Sequence, residues 1–183
     1  MKKLALAALA LSSLFIISCG GEEKKDDKKK DNKEVNKDEE NGDLTEAPVK
    51  VSLVEMDLSQ YGYAATIEVP DDVVFEKGEF NDLLKNADET FAVAIQRLDW
   101  TKDEAMAEAK KNDINKLKEV LEETETGYWI QTEVMRKDDF HMWLSVNDGA
   151  EEPIIFENDK GGRPTKATSA VMWNALKSVK VKS

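Results

Sequence analysis

Apolar and polar positions divide the chain into three segments. Residues 1–18 hold two lysines followed by a largely apolar run of 14 residues, whereas residues 19–47 contain almost no apolar side chain. In residues 48–183, short segments with regularly spaced apolar positions are separated by polar turns. Apolar positions with a period of two predict strands, and those spaced by three and four residues predict helices. The pattern therefore predicts a signal segment, a tether and one globular domain.

The first half of the globular segment is predicted to consist mainly of strands. Period-two alternation predicts strands over 49–56, 64–69 and 91–98. Between the second and third of these, three apolar side chains at positions i, i+3 and i+4 predict a short helix over 79–86. These side chains are Phe80, Leu83 and Leu84.

A longer helix is predicted over about 102–123. Thr101 and Glu104 form a capping box, in which the threonine hydroxyl accepts from the Glu104 N–H and the Glu104 carboxylate reaches back to the N–H of Thr101. Asn112-Asp113 weakens the middle of this helix, because both residues have low helix propensity. Its apolar stripe is Met106, Ala109, Ile114, Leu117 and Leu121.

Two strands over about 128–135 and 139–146 are predicted to form an antiparallel hairpin. One register gathers the apolar residues of both strands on one face. In that register Val134 pairs with Met142, Thr132 with Leu144 and Ile130 with Val146. The same register places Trp129, His141 and Trp143 together on the other face.

A strand over 154–156 and a helix over 168–178 complete the predicted elements. Strands, a helix, an antiparallel meander and a closing helix predict an α+β domain over 48–183. The expected architecture is an antiparallel β-sheet flanked by helices, preceded by a disordered tether.

The segment that begins at Tyr61-Gly62-Tyr63 and runs through a strand to Pro70 resembles the opening "YGF-strand-P" segment of PsbP-like domains. The order of mid-chain helix, three-strand meander and terminal helix is also similar to that family, over about 61–180. The resemblance implies an α/β/α sandwich. It transfers no catalytic residue and no metal ligand. Bacterial members are commonly tethered lipoproteins without known activity, which is compatible with this chain.

Cys19 is the only cysteine, and it directly follows the apolar run. Ile16-Ile17-Ser18-Cys19 resembles the bacterial lipobox, whose cysteine receives the lipid. The apolar run is shorter than the roughly 20 residues of a membrane-spanning helix, so residues 1–18 are predicted to be a cleaved signal peptide. We expect lipid on Cys19 to anchor the chain in the membrane. The alternative is an ordinary secretory signal with a chance cysteine.

Gly20 bears on the location of the anchored protein. In the lipoproteins that this signal resembles, an aspartate at that place often retains the product at the inner membrane. Its absence favours the outer membrane, with the domain periplasmic or exposed at the cell surface.

The segment over 19–47 is predicted to be a disordered tether. Residues 22–46 contain 11 Asp or Glu and 7 Lys, with only Val35 and Leu44 as aliphatic residues. Such a stretch does not bury enough apolar area to offset the entropy of ordering it. A solvated helix is the competing interpretation.

The charge of the chain excludes nucleic acid as a partner. The formal net charge is −12. Loss of Lys2 and Lys3 with the signal peptide leaves −14, and the four excess acidic groups of the tether leave −10 on residues 47–183. Phosphate backbones and anionic headgroups are repelled by such a body, so membrane attachment must depend on the lipid at Cys19.

Few residues suggest chemistry. His141 is the only histidine, and no nucleophile motif accompanies it. No catalytic residue, metal ligand or cofactor is predicted. Trp129, His141 and Trp143 are the candidate ligand-binding residues, and the competing interpretation is that the two tryptophans are core residues under a helix.

The function expected from the sequence is a non-catalytic, membrane-tethered lipoprotein of the cell envelope that binds or supports an envelope protein. The alternative is a lipoprotein that binds a small ligand on the surface formed by Trp129, His141 and Trp143.

Overall fold

The computed structural model describes residues 51–159 and 161–182, all within the compact unit Asp43–Ser183. Cys19, the signal segment and the tether therefore lie outside the described residues. The elements in chain order are β1 Leu53–Asp57, β2 Ala65–Pro70, β3 Val74–Glu76, β4 Asp82–Lys85, β5 Ala92–Arg97, α1 Lys102–Lys111, β6 Lys116–Glu123, β7 Gly127–Val134, β8 Lys137–Val146, β9 Ile154–Asn158, α2 Lys166–Lys177 and β10 Lys180–Val181.

The strands form two sheets, and every strand pair in them is antiparallel. The larger sheet has seven strands in the order β3-β4-β5-β9-β8-β7-β6, and the smaller has three in the order β1-β2-β10. The α+β class and the antiparallel pairing predicted from the sequence are confirmed. The helix predicted over 168–178 is confirmed as α2.

The two faces of the seven-stranded sheet pack against different layers. On one face, residues of β5, β8 and β9 share a core with α2 and with β2 of the small sheet. On the other face, Ala105 and Met106 of α1 pack against Tyr128, Ile130 and Trp143. The alternation of side chains along a strand produces this division: Leu144 and Phe156 enter the first core, whereas their neighbours Trp143 and Ile155 enter the second.

The helix predicted over 102–123 is wrong beyond its first half. The capping box is confirmed, because the N–H of Glu104 donates to Thr101 Oγ1 at 3.3 Å and the N–H of Thr101 donates to Glu104 Oε2 at 3.0 Å. The helix ends at Lys111, where Asn112 Oδ1 accepts from the N–H groups of Ile114 and Asn115. A side chain that offers the backbone this alternative ends a helix. Residues 116–123 then pair with β7 as an edge strand, and tertiary pairing overrides their helix-favouring composition.

The short helix predicted over 79–86 is also wrong. Residues 82–85 form β4, in which Leu84 pairs with Val93 of β5 and is fully buried. Phe80 was placed on the predicted helical stripe, but its side chain is 88% exposed. A window of eight residues fits both periodicities, and sheet pairing decides between them.

The register predicted for the hairpin is wrong as well. Val134 pairs with Lys137, because β7 and β8 are joined by a two-residue turn at Met135 and Arg136. Both turn residues have positive φ, 52° and 65°, as a type I′ turn requires. Met135-Arg136 is not the Asn-Gly pair typical of such turns, so the pattern predicts a longer connection at this point.

Candidate ligand cavity

A cavity of about 480 Å³ lies on the α1 face of the seven-stranded sheet. We call it the α1 cavity. Its lining comes from α1 and its flanks, from β7, β8 and the end of β9, and from the loop before α2. The lining residues are Trp100, Ala105, Glu108, Ala109, Asn112, Asn115, Tyr128, Ile130, Thr132, Val134, Asp139, His141, Met142, Trp143, Glu157, Asn158, Gly162 and Arg163.

The hairpin register brings three polar side chains together in this lining. Thr132 is paired with Asp139, and the neighbouring pair joins Ile130 to His141. Residues directly opposite each other in an antiparallel pair place their side chains on the same face, about 5 Å apart. Thr132, Asp139 and His141 form what we call the polar floor of the cavity.

Two atoms of the polar floor are buried without a hydrogen-bond partner among the described residues, Thr132 Oγ1 and His141 Nε2. Thr132 is only 2% exposed. His141 Nε2 lies 3.3 Å from Asp139 Oδ2, which is within ion-pair distance but outside hydrogen-bond geometry. Burying a polar group without a hydrogen bond lowers the stability of the folded state by about 1–3 kcal/mol. The floor therefore has two polar atoms whose hydrogen-bonding capacity no described residue uses.

Asp139 supplies the negative charge of the floor. Its side chain is 13% exposed, and its Oδ1 accepts from the N–H of Phe140 at 3.0 Å. His141 is the only basic side chain within ion-pair distance of it in residues 51–159 and 161–182. Within these ranges, Asp139 therefore has no permanently charged lysine or arginine as a partner.

Aromatic rings line the cavity beside the polar floor. Tyr128 and Trp143 are stacked, with ring centroids 6.0 Å apart and an interplanar angle of 12°. Burial, helped by the negative charge of Glu157, raises the pKa of Tyr128 well above its usual range, so its hydroxyl stays neutral at physiological pH. Trp100 also lines the cavity and is 44% exposed. The cavity therefore offers apolar ring surface and polar groups together.

Charged side chains also line the cavity. Among the described lining residues, Glu108 and Asp139 are acidic and Arg163 is basic. Glu157 Oε1 accepts a hydrogen bond from Gln96 Nε2 at 3.0 Å.

Of the three ligand-binding residues predicted from the sequence, the structure brings two together. His141 and Trp143 both line the α1 cavity. Trp129 does not, because the observed register places it on the opposite face, where it packs against the core shared with α2. The prediction that all three share one face is therefore wrong.

Sequence reasoning missed Thr132 and Asp139, the other two members of the polar floor. Thr132 was assigned to the apolar face of the predicted hairpin and Asp139 to the first position after its turn. The correct signal was the two-residue turn at Met135 and Arg136, which fixes both residues on the face of His141.

The described residues contain no group of three or more His, Cys, Asp or Glu arranged to hold a metal ion. None of the helices in 51–159 and 161–182 is long and apolar enough to cross a membrane. No protein-family model matches the sequence, and no curated protein sequence is significantly similar to it.

Proposed function

We propose that this chain is a lipid-anchored protein of the cell envelope whose domain binds a small molecule in the α1 cavity without transforming it. The observation that carries the proposal is the polar floor, where Thr132 Oγ1 and His141 Nε2 are buried and unpaired. Ligand sites are concave, largely apolar and equipped with a few polar groups that fix orientation. A cavity of about 480 Å³ with stacked rings and an unsatisfied floor has these properties.

The arrangement of the floor argues for binding rather than nucleophilic catalysis. In a nucleophile–histidine–acid triad, the acid bonds one ring nitrogen and the nucleophile bonds the other. Here the nitrogen nearest Asp139 is Nε2, and Thr132 Oγ1 makes no hydrogen bond to it. Nothing in this geometry activates the threonine hydroxyl, which supports a non-catalytic role.

The anchoring half of the proposal comes from the sequence. The lipobox at Cys19 and the charged segment that follows it support a tethered domain, and Gly20 supports the outer membrane. The acidic body argues against direct attachment to anionic headgroups. A tethered domain is also the form in which the chain would support an envelope protein partner.

We also propose that the domain is a PsbP-like α/β/α sandwich. Two features support this assignment: the Tyr61-Gly62-Tyr63 opening before β2, and the order of α1, an antiparallel meander and α2. The assignment itself suggests no ligand, so the cavity must be tested directly.

His141 makes a direct test possible, because a chain with one histidine gives one set of imidazole signals. We suggest a protein-observed NMR screen of small fragments against the full chain in detergent, purified without a histidine tag. Fragments that bind the α1 cavity shift the imidazole signals of His141. Thr132→Val, which keeps shape and removes the unpaired hydroxyl, weakens those fragments.

Thr90→Val is the matched control, because the Thr90 hydroxyl is bonded to Asn86 and Asp88 and Thr90 does not line the cavity. Fragment affinities stay unchanged in that variant. If no fragment moves the His141 signals, or if Thr132→Val and Thr90→Val act alike, ligand binding in this cavity is excluded.

The anchor has a separate test. Expression of the full chain and of Cys19→Ala in a bacterial host, followed by mass measurement and detergent partition, distinguishes the two signal interpretations. A lipid mass and detergent-phase partition that disappear in Cys19→Ala support the anchor. A lipid-free product from the unaltered chain overturns it.

A further inference from the structure

We propose that the ligand of the α1 cavity is an organic cation, a protonated amine attached to a ring or a short apolar body. This inference builds on the proposed function and names the class of ligand. Two observations support it. The other buried carboxylates that we describe have cationic partners, and the polar floor presents hydrogen-bond acceptors.

Elsewhere in the domain, buried carboxylates have cationic partners. Asp82 and Asp148 have side chains that are 4% and 3% exposed. Lys77 Nζ lies 2.8 Å from Asp82, and Arg97 lies 2.7 Å from Asp148. We call these groups, together with Tyr63, which donates to Asp82 at 2.8 Å, the Arg97 cluster. Charges taken out of water are retained where they are paired.

Asp139 departs from this rule. At 13% exposure it is largely buried, yet no lysine or arginine of the described ranges lies within ion-pair distance of it. Its ion-pair contact is with His141, whereas Asp82 and Asp148 have a lysine or an arginine, and Asp139 lines the cavity. A ligand that brings a cation into the cavity completes the pairing that Asp82 and Asp148 already have.

The neighbours of Asp139 are suited to an ammonium group. An ammonium has three N–H donors and no acceptor. Thr132 Oγ1 has lone pairs to accept one, and the carboxylate oxygens of Asp139 accept others. These two residues of the floor therefore offer acceptors that match an ammonium group. An anionic ligand would face the carboxylate, and a neutral alcohol would leave its charge unpaired.

The rest of the cavity favours the same class. Among the described lining residues, Glu108 adds a further carboxylate. The ring surfaces of Tyr128 and Trp143 are suited to an apolar body and attract cations through their π faces. The net charge of −10 on residues 47–183 raises the local concentration of cations around the domain.

Three probes of similar shape test the inference: 2-phenylethylamine, 2-phenylethanol and 3-phenylpropionate. Each is titrated at neutral pH into the full chain in detergent, with affinity measured by calorimetry and position by the His141 imidazole signals. The amine is expected to bind at least about tenfold more tightly than the alcohol, since a charge-assisted hydrogen bond outweighs a neutral one. The carboxylate is expected to bind most weakly.

Asp139→Asn removes the charge and keeps the shape. It is expected to lower amine affinity by about tenfold or more and to leave alcohol affinity nearly unchanged. Asp138→Asn is the matched control, because Asp138 is the adjacent residue on the opposite face, paired with Lys118 at 2.6 Å. Thermal unfolding of both variants checks that each remains folded.

The outcomes separate the two proposals. Amine affinity that survives Asp139→Asn, or that falls equally in Asp138→Asn, overturns the cation inference. Alcohol or carboxylate binding as tight as amine binding, with the His141 signals shifted, also overturns it and leaves the proposed ligand-binding function standing. If none of the three probes binds, the inference fails, and the fragment screen decides the proposed function independently.

Discussion

The Arg97 cluster and the polar floor of the α1 cavity are both buried polar regions of the same domain, but they differ in how their groups are satisfied. In the Arg97 cluster, Arg97 donates to both oxygens of Asp148, at 3.0 and 2.7 Å, and to the carbonyl of Glu152 at 2.7 Å. In the polar floor, Thr132 Oγ1 and His141 Nε2 have no hydrogen-bond partner among the described residues. The groups of the first region are paired with one another, whereas the second contains two buried polar atoms that no described residue satisfies.

The difference teaches how stability and binding are distributed over the domain. A satisfied buried network costs little and holds distant elements together: Arg97 of β5 joins the loop after β8 to Gly62 before β2. An unsatisfied buried group reduces stability unless a ligand occupies the site. Retention of such groups in a cavity is expected of a binding site, where stability is exchanged for affinity.

Breaking the Arg97 cluster should produce the largest effect. Arg97→Met leaves Asp148 buried without its partner, and we expect a loss of about 3–5 kcal/mol in the free energy of unfolding, measured with urea. Lys118→Met is the control, because Lys118 pairs with exposed carboxylates and should cost less than about 1 kcal/mol. Equal losses of unfolding free energy in the two variants would contradict the distinction between a buried ion pair and a surface ion pair.

The same cluster gives the domain a pH dependence at low pH. The hydrogen bond from Arg97 lowers the pKa of Asp148 to about 2. A carboxyl whose folded-state pKa is depressed adds stability above its unfolded pKa, and this stability is lost as the pH falls through the folded value. We expect a loss on the order of 2 kcal/mol between about pH 4 and pH 2. Urea unfolding at several pH values should show that Asp148→Asn removes this part of the dependence, whereas an unchanged dependence would assign it to other carboxyls.

Removing the unpaired hydroxyl of the polar floor should have the opposite sign. Thr132→Val replaces a buried group that lacks a hydrogen bond, so we expect the free energy of unfolding to rise by about 1–2 kcal/mol in the absence of ligand. Thr90→Val should lower it by about 1 kcal/mol, because that hydroxyl is bonded. Destabilisation by Thr132→Val would mean that Oγ1 is satisfied in solution, and the contrast with the Arg97 cluster would fail.

The fold class was predictable from the sequence because sheet periodicity is locally encoded in most strands. The alternation over 64–69 and 91–98 predicted β2 and β5, and the capping box predicted the start of α1. Residues 116–123 were not predictable in this way. Their composition favours a helix, and they become a strand only because β7 offers an edge to pair with.

The candidate site was less predictable than the fold, because it depends on register. His141 and Trp143 were identified from residue type alone. Thr132 and Asp139 could be identified only with the true pairing, which a two-residue turn sets. A shift by an odd number of residues moves every side chain of one strand to the other face, and the predicted and observed registers of the hairpin differ by such a shift.

That turn provides the smallest expected effect and the most direct test of how the polar floor is held. Met135 and Arg136 adopt positive φ without being glycine or asparagine, a conformation that costs side chains about 1–2 kcal/mol per residue. Met135→Asn with Arg136→Gly, the pair preferred in type I′ turns, should raise the free energy of unfolding by about 1 kcal/mol. It should leave amine affinity unchanged, because the register that pairs Thr132 with Asp139 is kept.

Glu55→Gly in strand β1 is the control, and it should lower stability, since glycine in a strand adds only conformational entropy to the unfolded chain. A loss of stability in the turn variant would show that the register depends on contacts elsewhere in the hairpin, and the polar floor would then owe its geometry to packing rather than to the turn.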